Sequence, residues 1–509
     1  MKKLRYITIA AFSMALLASC TEFLEEEPTK TSTVVPSTVE HLERLLNNYG
    51  NFASEPSREI AFGTDDFGLS TDFFNASNSA YGIMTVQFAT WDKQYIPNAD
   101  APYWTTEWKK IFIANMVLEN LDRVEGSIET KEQLRAEAHF IRAYSYFKLA
   151  DVYCLPYNQS TKNEMGLPIK KSTSFEEPIE RASLESTWDM MKEDMEIALT
   201  LEKEFGTFQG QKKIWRASTV SVNAFAARFY LTLNDYEKAE EYADLALSEY
   251  SYLRNYNTDM RYSDLPTQVT IFNPEPENVD ILYPYTHDQQ NIPTDKFEWG
   301  ESYYYRFLTN GSWNYYPSQE LLNLYDQDND LRYKYHIVEN YSYARGIVDP
   351  PYSQPGYIFF FKSDILSGPS VPEMLLIKAE AQTRQGRWNE GLTTVNILRN
   401  ARMDQSAPST LIQLNATTQD EALVKILEER RREMPFVSRW HDVRRYNNNE
   451  TGIDDVEMTK IFYPYNASII LKNDAPILYT LEKNSRRFAN PIPEQELLTS
   501  DWIIKQNTY

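Results

Sequence analysis

Thr219-Val-Ser-Val-Asn-Ala-Phe-Ala-Ala-Arg-Phe-Tyr-Leu-Thr-Leu-Asn-Asp-Tyr-Glu-Lys-Ala-Glu-Glu-Tyr-Ala-Asp-Leu-Ala-Leu-Ser-Glu-Tyr250 is the stretch that decides the fold. Taking Ala227 as the small residue of a first helix, Tyr230 follows three positions later, Asn234-Asp235 supplies a turn, and Ala239, Ala243 and Ala246 line a second helix. Small residues at this spacing let two antiparallel helices approach closely while a tyrosine fills the groove between them, as in tetratricopeptide repeats. Three further alanine-rich stretches read as helical, at 132–155, 183–201 and 372–403. The last repeats the scheme with Ala379, Gln382, a Gly386-Arg387 turn, Gly391, Val395 and Leu398. Gln382 stands where the aromatic belongs, so another side chain must fill that groove. In the first, Ala143 and Tyr146 fit an opening helix. Its partner, with Trp188, Met191, Met195 and Ala198, begins only after an insertion from Pro156 to Arg181.

The N-terminus sets the expected location. Lys2, Lys3 and Arg5 form a positive segment, Ile7 to Leu17 an apolar run too short to span a bilayer, and Leu17-Ala-Ser-Cys20 a lipobox-type cleavage site. Residues 1–20 thus read as a lipoprotein signal peptide, with Cys20 as the lipidated first residue of the mature chain. No second apolar run is long enough to cross a membrane. The second of two cysteines, Cys154, then has no intramolecular partner, which excludes a disulfide framework. Its neighbours Leu149, Val152, Tyr153 and Leu155 predict a buried thiol. Removing the three basic residues of the signal takes the net charge from −22 to −25, a balance that argues against nucleic acid and anionic lipid surfaces as partners.

Outside the helical stretches the pattern is irregular. After a tether from Thr21 to Pro36, Ser37-Thr-Val-Glu40 has capping-box spacing, and Leu42, Leu45, Leu46 and Tyr49 share a helical face. Residues 51–102 carry scattered glycines, Asp65-Asp66 and aromatics without a period, and read as a long ordered loop. A helix over Trp104 to Val124 follows, its stripe of Trp108, Ile111, Phe112, Leu118 and Leu121 interrupted by Asn115. Between Arg254 and Pro369 helical signal mostly vanishes, Ile281-Leu-Tyr283 and Tyr357 to Phe361 reading as short buried strands.

No enzyme constellation emerges. The chain lacks a Gly-x4-Gly-Lys-Ser/Thr phosphate loop, a His-Glu-x-x-His zinc helix and a Gly-x-Ser-x-Gly elbow. His41, His139, His287, His336 and His441 are scattered and read as structural. Asp326-Gln-Asp-Asn-Asp330 opens like a calcium loop, but Leu331 replaces the turn glycine and Ile337 the bidentate glutamate, leaving a polar helix end. Glu428-Glu-Arg-Arg-Arg-Glu433 reads as an ion-pair cluster at helical spacing. Neither metal nor cofactor is expected. Asp65 and Asp66 are the best pair of carboxylates for glycoside hydrolysis, yet adjacent residues in extended backbone point opposite ways.

The aromatics are the positive signal. Sugars stack their CH faces on Trp and Tyr while their hydroxyls need amide, carboxylate or guanidinium partners. Two segments combine both: Asp65 to Trp104, with Asp66, Trp91, Asp92, Gln94, Tyr95 and Asn98, and Trp299 to Tyr316, with Tyr303, Arg306, Asn310, Trp313 and Asn314. If both line one site, Trp91, Trp104, Tyr303 and Trp313 should share a face.

Seven local motifs, in order, resemble the SusD/RagB family of outer-membrane nutrient-binding lipoproteins over nearly the whole mature chain. They are Cys20 with Phe23-Leu-Glu-Glu-Glu-Pro28, Trp108 to Asn115, Arg135 to Tyr144 leading to Arg181-Ala-Ser-Leu184, Val371 to Ala381, Glu428 to Glu433, Arg439-Trp-His-Asp-Val-Arg-Arg445 and Asn490-Pro-Ile-Pro-Glu494. The resemblance implies a mostly α fold of about four tetratricopeptide-like helix pairs, with loop-rich insertions and small β elements forming the ligand face. It places both aromatic segments where family members carry ligand loops. It divides the chain into an N-terminal part, 21–253, and a C-terminal part, 254–509, whose first stretch to 371 is a loop and strand insertion. The implied partner is a SusC-like TonB-dependent transporter on which the lipoprotein sits as a lid, facing the cell exterior. The function it implies is capture of an oligosaccharide without catalysis. Binding of a peptide by the same machinery, a tetratricopeptide adaptor for a protein partner and a surface hydrolase are the alternatives.

Overall fold

The computed structural model describes residues 36–55, 59–76, 81–98, 101–205, 207–208, 211–262, 267–272, 276–281, 299–309, 315–338, 355–359 and 364–509. Cys20 with the signal and the tether up to Val35, Leu282, Tyr283, His287, Asn310, Trp313, Asn314, Phe360 and Phe361 lie outside them. The principal helices are α1 (Val39–Asn47), α2 (Trp104–Asn120), α3 (Ile128–Tyr153), α4 (Leu184–Ala198), α5 (Thr219–Thr232), α6 (Tyr236–Glu249), α7 (Val371–Arg384), α8 (Trp388–Arg402), α9 (Gln419–Glu433) and α10 (Arg439–Tyr446). Their packing forms a mostly helical scaffold: α2 on α3, α3 on α4, then α5 on α6, α6 on α7, α7 on α8, with α9 across α7 and α8.

The α5–α6 pair follows from its sequence. Ser218 and Ser221 bond each other's backbone N–H in a reciprocal cap that starts α5. Asn234 adopts φ +60° at the turn, a conformation asparagine tolerates, and the Asp235 carboxylate accepts the Lys238 N–H at 3.1 Å to start α6. Ala227, Ala239, Ala243 and Ala246 are fully buried at the seam, and Tyr230 stacks on Tyr242 at 5.4 Å. In the α7–α8 pair Gln382 itself stays in the groove, its Oε1 accepting the Thr394 hydroxyl at 2.8 Å. A Cβ on Gly391 would stand 2.2 Å from Thr383 Oγ1 and 2.6 Å from the Ala379 carbonyl, so glycine sets how closely these helices meet.

The insertion between α3 and α4 is tied down by Arg181, which donates to the carbonyls of Gly166 at 2.6 Å and Tyr153 at 3.2 Å. Asn115, the polar break in α2, is fully used: its amide donates to the carbonyls of Lys170 and Ser172, and its oxygen accepts from Arg142 at 2.9 Å. Cys154 is buried, and burial pushes its thiol up. The end of α3 is closed by distant chain: the Asn490 N–H donates to Val152 O at 2.8 Å, Asn507 to Tyr153 O at 3.0 Å, and Arg444 to Cys154 O at 2.8 Å.

Several local expectations need correction. Thr38 rather than Ser37 precedes α1, and no side chain caps it; Thr38 instead bridges to Glu125, so backbone pairing fixes the entry. Phe112 faces solvent from α2. Residues 51–102 are not one loop but hold helices at Glu59–Phe62, Thr71–Ala76 and Ile83–Ala89, each too short to show a period. The strand expected at Ile281 is the end of Pro276–Ile281, paired with Thr267–Phe272, while Gly356–Tyr357 pairs with Ile337–Val338. A C-terminal hairpin joins Met458–Phe462 to Ile477–Leu481 with Ile461 opposite Leu478. Asp326 to Asp330 is indeed a polar helix end, Asp330 accepting the Arg332 N–H at 3.0 Å.

The charged run of α9 is an ion-pair cluster, but its partners are mostly tertiary. Glu429–Arg432, at 2.9 Å, is a helical pair. Arg430 reaches Asp442 at 2.8 Å and Glu373 at 3.4 Å, Arg431 reaches Asp66 at 2.6 Å, and Glu429 also meets Arg399 and Arg332. Glu433 holds Arg402 and Arg332, and Glu380 of α7 holds Arg445 at 2.6 Å and Arg384 at 2.7 Å. Burial alone would raise these carboxyls, yet the arginines outweigh it: Glu380 falls from 4.5 to about 2, and Glu429 and Asp442 also lie well below the usual range.

Carboxyls depressed on folding stabilise the protein above their unfolded values, and that stability is lost as pH falls through the folded values. Acid titration should therefore unfold the chain between pH 4.5 and about 2, followed by near-ultraviolet circular dichroism. Glu380→Gln leaves buried guanidinium undercompensated and should cost about 3 to 5 kcal/mol in urea unfolding at neutral pH. A change below 1 kcal/mol would show that the pairing contributes little.

Candidate functional site

The side chains expected to bind ligand divide sharply. Asp65 accepts Arg439 at 2.7 and 2.6 Å and lies 3.3 Å from Arg431. Burial opposes its charge, but Arg439 and Arg431 hold its carboxyl well below the usual carboxylate range. Asp66 is fully buried, accepting Arg431 at 2.6 Å and the Phe436 N–H at 2.9 Å. Both acids are occupied by the fold.

Trp91 sits in the core with Trp440, Met458 and Phe488, its indole N–H donated to Gly63 O at 2.8 Å. Its backbone is left-handed, φ +56°, which turns the ring inward. Trp104 is buried edge-on to Tyr153 at 4.9 Å. Tyr303 is fully buried and donates its hydroxyl to Tyr250 O at 2.7 Å, and Arg306, also fully buried, lies 4.2 Å over the Tyr304 ring. Trp91, Trp104 and Tyr303 thus fall in three separate packed clusters instead of sharing a face, and they leave no ring surface for a ligand.

Trp299 lines a cavity of about 90 Å³, with Tyr256, His336, Phe359 and Trp440 among its walls. Its indole donates to Glu301 at 2.9 Å. Burial pulls His336 down to about 3, and its ring nitrogens face the Tyr256 hydroxyl and the Ile358 carbonyl, each at 3.0 Å. A neutral imidazole so committed is a structural group. His139 and His441 are likewise held by Asp194 and Asp151.

Tyr95 and Asn98 do reach the surface. Asp92 accepts the N–H groups of Gln94 at 2.6 Å and Tyr95 at 2.7 Å, a side-chain turn that fixes the segment. Tyr95 lies half-buried, 6.4 Å and edge-on from Tyr465, which stacks on Tyr479 at 6.0 Å. The Tyr465 and Thr90 hydroxyls share a 2.7 Å hydrogen bond, and Tyr479 donates to Tyr463 O at 3.2 Å. Gln94, Asn98 and Asn466 are exposed around these rings. Burial raises the phenols of Tyr465 and Tyr479, which keeps those two neutral. The group can stack and exchange hydrogen bonds.

Sequence reasoning missed Tyr463, Tyr465 and Tyr479. The signal was present in Met458 to Phe462 and Ile477 to Leu481, two short runs around a polar, proline-bearing turn, which read as a hairpin.

Trp91→Ala should therefore destabilise by about 3 to 5 kcal/mol as a core truncation. Tyr95→Ala should change stability by less than about 1 kcal/mol, as expected at a site away from the core. Thermal melts of the two variants check the division, and equal losses would overturn it.

Residues 22–231 match a family described as starch-binding associating with outer membrane, and residues 372–509 match the SusD family. A SusD-like protein of Formosa agariphila is 25% identical over 414 residues, 69% of this chain and 73% of that relative. Among solved structures, a putative sugar binding protein from Bacteroides vulgatus aligns with TM-score 0.64 at 17% identity, covering 93% of this chain and 99% of the other. A laminarin binding SusD-like protein aligns with TM-score 0.56 at 16% identity, covering 93% and 99%.

Proposed function

Because the chain belongs to the SusD/RagB family of outer-membrane-associated nutrient-binding proteins, we propose that it captures an oligosaccharide at the cell surface and hands it to a SusC-like TonB-dependent transporter. The role is binding without catalysis. The observation that carries it is the tyrosine group Tyr95, Tyr465 and Tyr479, with the exposed amides Gln94, Asn98 and Asn466 beside them in the chain, a combination suited to sugar faces and hydroxyls. The carboxylate beside these rings, Asp92, is engaged by the Gln94 and Tyr95 N–H groups and by Tyr465. Trp313, Asn310 and Asn314 remain candidates for the same face by their place in the sequence.

Anchoring follows from Cys20, whose lipidation would attach several acyl chains to one residue, more than the single chain that gives only marginal binding. Cys20→Ser should release the protein from the outer-membrane fraction or leave it unprocessed, read by fractionation with and without globomycin. Unchanged membrane association in the variant would remove the anchor.

A glycan array run beside a peptide library on the full chain selects the ligand. With the strongest glycan, Tyr95→Ala or Tyr465→Ala should weaken binding by about 1 to 3 kcal/mol in calorimetry, with folding intact. Normal binding by both variants, or capture of peptides alone, would sink the assignment.

A further inference from the structure

An open cleft of about 790 Å³ lies where the chain after α3, the α5–α6 turn and the chain after α10 converge, and it shares no residue with the Tyr95 face. Tyr157, Gln159, Asn234, Tyr236, Asn448 and Asn449 line it. We propose that this cleft is a second saccharide site, selective for a neutral oligosaccharide.

Its volume falls in the range of small-molecule sites, about 300 to 1,000 Å³. A carboxamide has two N–H donors and an oxygen with two acceptor positions, so Asn234, Asn448 and Asn449 keep one of each beyond their internal bonds, and Gln159 is exposed, matching sugar hydroxyls that donate and accept in turn. Tyr157 and Tyr236 are half-buried in the wall, Tyr157 stacked on Trp188 at 5.4 Å and Tyr236 with Arg384 5.4 Å over its ring, and the surface each ring leaves toward the cleft is what a pyranose CH face requires.

The walls are preformed. Asn448 donates to Tyr157 O at 2.7 Å and accepts from the Asn158 amide, so the two loops are linked across the cleft. Tyr236 donates to Asn234 Oδ1 at 3.2 Å, and Asn449 donates to Asp454 at 2.8 Å. A site held in place before binding loses less freedom when it is filled.

Charge in the cleft sets the class. Arg384, the cation in its wall, is already bound to Glu380 and Asp454 and offers no counterion to an acidic sugar. Asp420 and Glu450 are exposed at the rim, where they repel anions and attract cations only weakly. A neutral polyhydroxylated ligand uses the amides without requiring a free charge.

The test is hydroxyl-radical footprinting of the full chain in a polyoxyethylene detergent, which carries no sugar. The probes are maltohexaose, laminarihexaose, cellohexaose and mannohexaose, with hexagalacturonate and pentalysine as charged controls. At least one neutral hexasaccharide should slow oxidation of both Tyr157 and Tyr236, and the charged probes should not. Gln159→Ala with Asn449→Ala should raise the half-saturating concentration about tenfold. Gln159→Trp, which fills the cleft from an exposed position and leaves Asn449 and Asp454 untouched, should abolish protection and guards against a fold defect in the double variant. Absence of protection, equal protection by a charged probe, or protection that survives Gln159→Trp overturns the second site. Tyr95 reports on the first face in the same experiment. Protection there alone keeps that reading and removes the cleft, and protection of Tyr157 and Tyr236 alone does the reverse.

Discussion

The constraint on which the rest of the fold depends is the placement of three consecutive arginines inside it. Arg430, Arg431 and Arg432 are buried on three sides of α9, and a buried guanidinium without a carboxylate costs far more than truncating a typical apolar side chain at the surface. Arg430 meets Glu373 on α7 and Asp442 on α10, Arg431 meets Asp66 on the early chain, and Arg432 is paired inside its own helix by Glu429. Satisfying two residues of one helix thus positions α7, α10 and the segment around Asp66. Apolar residues of similar size could supply equal stability, but they would not demand one partner each, and here the ion pairs act to specify the arrangement.

The scaffold was legible because its signal is local. Alanine spacing, a turn and a tyrosine three residues on lie within one pair of helices, so Ala227 to Ala246 could be placed without knowing the rest. The α9 cluster was legible only in kind. Helical spacing proposed partners within the helix, whereas Asp65, Asp66 and Asp442 come from elsewhere in the chain, and no local rule selects them.

The aromatic residues show why the candidate site was read less well. Composition marks tyrosine as an interface residue, yet its hydroxyl can be satisfied inside by a single backbone carbonyl, as Tyr303 is by Tyr250, Tyr153 by Pro102 and Tyr325 by Arg432. Once bonded, a tyrosine fills core as phenylalanine does. Trp91 and Trp104 were sorted by backbone direction and packing, which spacing does not encode. Tyr95 and Asn98 were found because a short segment pinned by Asp92 keeps them outward, and their partners came from a hairpin nearly four hundred residues later.

The end of α3 also bears on how the chain reaches this state. Its last carbonyls accept hydrogen bonds from Arg444, Asn490 and Asn507, the last of these two residues from the C-terminus. The helix that opens the first pair is thus finished by residues some three hundred positions further along the chain. Without those contacts the last carbonyls of the helix would be left to water. The first helical pair and the segment that follows α10 therefore reach their final arrangement together, although most of the chain separates them.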